Sequence, residues 1–252
     1  MLKLSVQNTV LIQQYTRRNL NYVVCLKFGN KYSPEYVNKL YSMVKRNLTI
    51  PFEFVCFTEN AENIDAEIIV KELPLSPKVT GWWYKPYFFS PNLGLNGTIL
   101  FLDLDIIIFR NIDKLFTHKP GQFLIIRDFN RHVIKNYQKF NSSVFRLTSG
   151  QHSDVYTKFI KDPAIVTRRF HGDQDWIRET IKTNYEFWPD DWIQSYKWEM
   201  RQKPKMIKNK FGKRNFAEPG DPVILPQTSI AVFHGDPNPH DCIDPWCSEN
   251  WN

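Results

Sequence analysis

The sequence has no hydrophobic run approaching the roughly 20 apolar residues that a bilayer span requires, so no transmembrane segment is expected. Its opening residues, MLKLSVQNTV, lack the apolar core of about 7–15 residues that marks a signal peptide. Cysteine is sparse, at 4 in 252 residues, and supplies no disulfide framework. Cys25 and Cys56 lie inside apolar runs and read as buried strand thiols. Cys242 and Cys247 are spaced for a local pair and not for a zinc knuckle. These absences point to a reducing, cytoplasmic setting, in which the glycosylation patterns at Asn47, Asn96 and Asn141 are chance matches. There is no internal repeat, no low-complexity segment and no composition break that marks a second domain. A chain of 252 residues suffices for one α/β domain with a full core and is short for two.

The charge is unbalanced, with a formal net charge of +7. Lys203, Lys205, Lys208, Lys210, Lys213 and Arg214 crowd into one stretch. A basic surface attracts anions, including nucleotide diphosphates. Pro204 and Gly212 within the stretch argue against a nucleic-acid-binding helix. It reads either as a solvated loop or as a loop that folds over a phosphate-bearing ligand. Aromatics make up 15% of the chain, enough to furnish both a core and stacking surfaces for flat ligands.

Residues 1–20 read as an N-terminal arm, and residues 21–252 as the domain. The run Tyr22 to Phe28 is apolar and β-branched, as in a strand buried on both faces. Ser33 and Pro34 then open a helix with apolar positions at Val37, Leu40, Tyr41, Val44 and Leu48. Further strands are predicted over 52–58 and 66–73. This β-α-β opening implies a parallel sheet whose ligands sit at the carboxyl ends of the strands. Later strands are predicted over 97–102, 122–127, 143–147, 186–189 and 229–234. Short helices are predicted over 111–116, 153–161 and 173–181.

Three motifs carry chemistry. In FLDLDIII, Asp103 and Asp105 interrupt an apolar run. Burying charge without a partner costs several kcal/mol or more, and a metal ion compensates both acids. Alternate residues of an extended segment face the same side, so the two carboxylates share one site suited to Mn²⁺ or Mg²⁺. In FHGDPNPH, a late strand delivers His234, a nitrogen ligand, and Gly235 permits close backbone approach. HGDQDWI reads as a turn opening a helix, where Asp173, Gln174 and Asp175 can meet a ligand or simply serve as first-turn carboxylates.

In combination, these three motifs resemble the GT-A class of glycosyltransferases, nearest to family 8, from Tyr22 to about His240. The resemblance implies a single GT-A (Rossmann-like) α/β domain with a mixed, mostly parallel central sheet flanked by helices. It implies an enzyme moving a hexose from a nucleotide sugar, expected to be a UDP-sugar, to a saccharide or other hydroxyl acceptor. Asp103, Asp105 and His234 would hold the metal, with Asp103 also on the donor ribose. Asp173 and Gln174 would lie beneath the transferred sugar, and Asp175 would bind its hydroxyls or orient the acceptor. Lys85 would contact donor sugar or phosphate, and Tyr32 would stack on uracil. Asn141 and Ser142 would line the sugar pocket, although Ser143 stands where the family pattern has Gly. The late segment lacks the family's phosphate-binding lysine, and Lys210 or Lys213 would replace it. The aromatic, basic stretch Trp192 to Trp198 would form part of the acceptor side. Family 8 enzymes retain anomeric configuration; inversion would instead need Asp173, Asp175 or Asp191 as a base.

Two other classes fit the same architecture. A sugar-nucleotide-forming nucleotidyltransferase would need a Gly-rich phosphate loop after the first strand, where only Gly29 occurs. An inactive sugar-binding relative would have no use for the paired acids and His234.

Overall fold

The computed structural model describes residues 20–74, 76, 79–201, 206–208, 214–216 and 218–252. Nearly the whole N-terminal arm and most of the basic stretch, with Lys210 and Lys213, lie outside them. Among these residues the strands are β1 (Leu20–Lys27), β2 (Glu53–Thr58), β3 (Ile69–Glu72), β4 (Gly97–Leu102), β5 (Ile106–Ile108), β6 (Phe123–Arg127), β7 (Phe140–Thr148), β8 (Tyr185–Phe187), β9 (Ile193–Ser195), β10 (Met206–Lys208), β11 (Arg214–Phe216) and β12 (Ile230–Val232). The α-helices are α1 (Pro34–Asn47), α2 (Lys114–Thr117), α3 (Asp154–Phe159), α4 (Pro163–Arg169), α5 (Asp173–Thr180) and α6 (Pro245–Asn250).

Seven strands form the main sheet in the order β3-β2-β1-β4-β7-β6-β8. Strands β3, β2, β1 and β4 are mutually parallel, and β7 alone runs against its neighbours β4 and β6. The mixed, mostly parallel sheet matches the expected architecture. The central strands β1 and β4 are mostly apolar because both faces are covered. Val23, Cys25, Leu100 and Leu102 enter one core together with Val37, Leu40, Met43 and Val44 of α1. Tyr22, Val24, Ile99 and Phe101 enter a second core with Phe88 and Phe89. The alternation follows directly from the two-residue period of a strand.

The chain begins α1 at Pro34 as the sequence suggests, but the Ser33 hydroxyl makes no capping hydrogen bond. Residues Gly81–Phe89, rich in aromatics, wind into a 3₁₀ helix that buries Trp83, Tyr84, Lys85, Phe88 and Phe89. After β4 the chain leaves the main sheet. Residues 106–108 form β5, the edge of a second, three-stranded sheet ordered β5-β12-β9. Asp103-Leu104-Asp105 is therefore the junction between two sheets, a place where the backbone must change direction and side chains are released from both ladders. The helix α4, the strand β9, the π-helical turn Tyr196–Met200, the hairpin β10–β11 and the helix α6 were not anticipated from the sequence.

Candidate functional site

A cleft of about 320 Å³ opens at the carboxyl ends of β1 and β4. Its walls include Tyr32, Lys85, Asp103, Asp105, Asn141, Ser142, Asp173, Gln174 and His234. Nine sequence-predicted residues from six separate segments thus meet in one place. Asp175 and Gly235 are not on its wall. Helix geometry accounts for Asp175: two residues on from Asp173, it points about 200° around α5. Gly235 is exposed at φ +93°, beside the Lys197 ammonium.

Each wall residue is placed by a specific pairing. The Asp103 amide donates to the Ser143 carbonyl at 2.8 Å, extending the β4–β7 ladder to the edge of the cleft. Between Ile125 and Ile126 the β6 partner on β7 jumps from Phe145 to Asn141. This irregularity frees Ser142 and Ser143 to face the cleft. On the opposite side, Val232 of β12 pairs with Ile106 of β5. The Phe233 amide then donates to the Asp105 carbonyl at 3.0 Å. That antiparallel pair carries His234 next to the acidic junction despite their separation in sequence.

The electrostatics of the cleft are lopsided. The Lys85 ammonium lies 2.8 Å from each carboxylate oxygen of Asp103. It also donates to Ser142 Oγ at 3.1 Å, and that hydroxyl donates to Asp173 Oδ2 at 2.6 Å. Tyr32 donates to Asp105 Oδ2 at 3.0 Å. One buried lysine therefore answers three acids. Burial, opposed by Lys85 and reinforced by Asp105, pushes the Asp103 carboxyl up to about 6. Burial raises Asp173 as well, against the pull of Lys85 and of its Ser142 hydrogen bond. Burial would lower Lys85, but Asp103, Asp173 and Asp105 outweigh it and hold the ammonium above its ordinary value. His234 is driven the other way, down to about 3, by burial and by the nearby Lys197. It is a neutral imidazole at physiological pH, the form that ligates metals. Its Nε2 lies 2.6 Å from Ser195 Oγ, and Phe129 stacks on the ring.

Two carboxylates and a neutral imidazole form a donor set suited to Mn²⁺, or to Mg²⁺ through the oxygens. The excess of acids over lysine supplies the charge that such an ion neutralises. The three side chains share the cleft without clustering tightly. Among the described residues, the ligand-type group whose donor atoms all lie within 4.8 Å of one another is Cys242, Asp244 and Cys247. Those cysteines are free thiols with sulfurs 2.7 Å apart. The Asp244 carboxylate is already engaged by Tyr196, Arg201 and the Gly220 amide, which makes it a structural anchor.

The raised Asp103 value gives a pH prediction. Its folded value lies above the ordinary 3.8, so between about pH 4 and 6 the folded state keeps a proton that the unfolded chain sheds. Stability then falls as pH rises through that window. A divalent cation should cancel the penalty. The Mn²⁺-induced rise in Tm is expected to be larger at pH 7 than at pH 4.5. An equal rise at both values would contradict this assignment.

Sequence reasoning missed Trp82 and Lys31, and it placed Ser195 and Lys197 only within the Trp192 to Trp198 stretch assigned to the acceptor side. Trp82 and Lys31 line the cleft. Lys197 is buried and donates to the carbonyls of His234 and Asp236, each at 2.8 Å. It places a cation behind the late motif, which has no lysine of its own. Its aromatic and basic surroundings, Trp192 to Trp198, were the available signal. A wider hollow of about 620 Å³ lies beside α3, α4 and α5. Its Lys158–Asp154 and Lys182–Glu179 pairs are mutually satisfied and Arg169 adds a further cation, so it lacks the excess of acids found in the cleft.

No protein-family model matches the sequence, and no curated protein matches it. Solved structures do. The galactosyltransferase LgtC, in complex with donor and acceptor sugar analogs, superposes with a TM-score of 0.60 at 11% identity, covering 90% of this chain and 93% of its own. LgtC has also been solved with an active-site glutamine changed to glutamate. The glycosyltransferase GlyE of Streptococcus pneumoniae TIGR4 superposes with a TM-score of 0.63 at 12% identity, covering 92% of this chain and 60% of GlyE. With its mixed seven-stranded sheet and flanking helices, this chain has the GT-A fold seen in these glycosyltransferases.

Proposed function

We propose that this protein is a metal-dependent glycosyltransferase that moves a hexose from a UDP-sugar to a saccharide or other hydroxyl acceptor, with retention of configuration. One observation carries the reading: Asp103, Asp105 and Asp173 face one cleft with a single buried lysine and the neutral His234, on a fold shared with glycosyltransferases. We place it in the cytoplasm, where its four cysteines stay reduced.

Asp103, Asp105 and His234 hold the divalent cation. When bound, Mn²⁺ or Mg²⁺ supplies Lewis-acid stabilisation to the departing diphosphate. Tyr32 packs on the base, and its hydroxyl keeps Asp105 oriented. Asn141 and Ser142 border the sugar. Lys85 bridges Asp103 and Ser142, so the carboxylate that faces the donor is fixed before substrate arrives. Gly235 lets the backbone approach the phosphates, with Lys197 adding positive charge behind it. At the anomeric carbon, the bond to the leaving phosphate breaks as the acceptor oxygen forms its own, and the acceptor proton passes to that phosphate. Positive charge develops on the sugar ring. Asp173 and Gln174, at the start of α5, lie beneath the ring and shield the face opposite the attack. An active-site glutamine occurs in LgtC, and Gln174 is the glutamine on the cleft wall here. Asp175 is left to an acceptor or second-layer role by its position off the wall.

The nucleotidyltransferase alternative loses ground at the turn after β1. The Gly29 amide, which a phosphate loop would present to its ligand, already donates to Glu59 Oε1 at 2.7 Å.

The test is a panel of nucleotide sugars with Mn²⁺, reading released nucleoside diphosphate with and without chelator. Diphosphate release from a UDP-hexose that stops with chelator is expected. Release of pyrophosphate from a nucleoside triphosphate and a sugar phosphate would favour the nucleotidyltransferase. Silence toward every donor would leave only the binding-module reading.

A further inference from the structure

The 3₁₀ helix Gly81–Phe89 buries Trp83, Tyr84, Phe88 and Phe89 and half-buries Tyr87, while Trp82 is its one exposed aromatic. Trp83 and Tyr84 are 7% and 4% exposed, whereas Trp82 is 54% exposed. Tryptophan is enriched at binding surfaces, where its large ring meets a partner and its N–H stays wet. The neighbours of Trp82 are pinned: Trp83 stacks on Phe159 at 6.0 Å, and Tyr84 packs on Phe28 at 4.9 Å. Gly81, at φ +56°, turns the chain into the helix just before it. Trp82 is thus held outward by a fixed backbone.

Its direction is also fixed. A 3₁₀ helix has three residues per turn, so residues i and i+3 lie above one another. Trp82 therefore shares a face with Lys85, and both line the acidic cleft. Lys85 sits at the floor against Asp103 and Ser142, and Trp82 sits at the mouth. A methyl group placed on Gly172, the residue before α5, would lie 3.9 Å from the Trp82 indole nitrogen. The indole thus flanks the helix start that carries Asp173 and Gln174. Tyr32 and Phe28 occupy the β1 side of the cleft instead.

We infer that Trp82 is the stacking platform for the acceptor, and that the acceptor is a carbohydrate. This rests on the transferase reading above. A pyranose has one face of C–H groups and a rim of hydroxyls. The C–H face covers the indole, while the hydroxyls reach the polar groups at the start of α5. An acceptor lacking such a face, such as a serine side chain, would leave the indole in water. Entering last, the acceptor meets the residue at the mouth.

The test has two arms that use the full-length protein. In the first, lactose, maltose, cellobiose and chitobiose are presented to the protein with Mn²⁺ and UDP, and binding is read by saturation-transfer NMR. At least one disaccharide should bind through the C–H protons of one ring face. Trp82→Ala should abolish the signal, and Trp82→Phe should keep part of it. In the second arm, with UDP-galactose or UDP-glucose as donor, Trp82→Ala should raise acceptor KM roughly 10- to 100-fold and change donor KM less than about threefold. Trp82 is exposed, so its replacement leaves the core packing intact, and an unchanged Tm checks this. A raised donor KM with unchanged acceptor KM, equal saccharide binding by Trp82→Ala, or no saccharide binding at all would overturn the inference. Absence of turnover with intact, Trp82-dependent saccharide binding would count against the transferase reading alone.

Discussion

Replacing Lys85 with methionine is expected to destabilise the metal-free protein by about 3–5 kcal/mol, the usual cost of stripping one partner from a buried charge cluster. Lys85 is 6% exposed, and methionine fills most of its volume, so packing is nearly conserved. What is lost is the buried cation that answers Asp103, Asp105 and Asp173. Asp103 and Asp173 already hold protons more tightly than usual because of burial, and without Lys85 they will hold them tighter still. The penalty should therefore shrink at acid pH, where these acids go neutral without the lysine. Mn²⁺ should restore part of the lost stability by replacing one cation with another. Urea unfolding of the variant, with and without Mn²⁺, at pH 5 and pH 7 checks all three statements. A loss below about 1 kcal/mol with no response to metal would show that the acids are balanced by something other than Lys85.

The second large effect concerns Asp105. Asp105→Asn keeps the size of the side chain and an oxygen to accept from the Tyr32 hydroxyl. It removes one negative charge from a crowded set. The metal-free variant should be as stable as the parent or slightly more so, since like-charge repulsion falls. Turnover should drop by about 10³-fold, the scale seen when one preorganised charge-stabilising group is removed from an active site. The Mn²⁺-induced rise in Tm should shrink in parallel. Steady-state release of UDP and thermal melts measure both. Near-normal turnover with a lost thermal response would mean that the cation stabilises the fold without serving the chemistry.

Much of the architecture could be read from residues alone, for identifiable reasons. The strand at Tyr22 to Phe28, the helix opened by Pro34 and the strand before Asp103 carry strong local signals: continuous apolar runs, helical spacing and a proline at the first turn. Local signals of this kind need no knowledge of the partner. The acidic junction was legible because two aspartates in an apolar run demand an explanation wherever the chain goes. Other features depend on distant partners and left no local trace. Strand β7 runs antiparallel between β4 and β6, and nothing in Phe140–Thr148 states its direction. The short strand β9 and the pairing of β12 with β5 are fixed only by assembly of the second sheet. The 3₁₀ winding of Gly81–Phe89 was hidden because it has no 3.6-residue period.

The site shows the same division. Asp103, Asp105, Lys85 and the start of α5 were found by motif, and the fold brings them to one cleft. Asp175 was read as a third member of the motif that binds sugar hydroxyls or orients the acceptor, whereas helical rotation turns it off the cleft wall. Trp82 was concealed within a run of aromatics that sequence could not sort into buried and exposed members. Lys197 was not singled out because a basic residue near the late motif was sought nearby in sequence or in the basic stretch, whereas the π-helical turn Tyr196–Met200 places Lys197 against the His234 and Asp236 carbonyls.

The central claim is that the cleft acids and His234 grip a divalent cation alongside a nucleotide. The most direct measurement is anomalous scattering at the manganese edge from crystals grown with Mn²⁺ and UDP. The account predicts one strong peak within ligand distance of Asp103, Asp105 and His234, with the diphosphate beside it. A peak at Cys242, Asp244 and Cys247 with none in the cleft, or UDP bound there without metal, would contradict it.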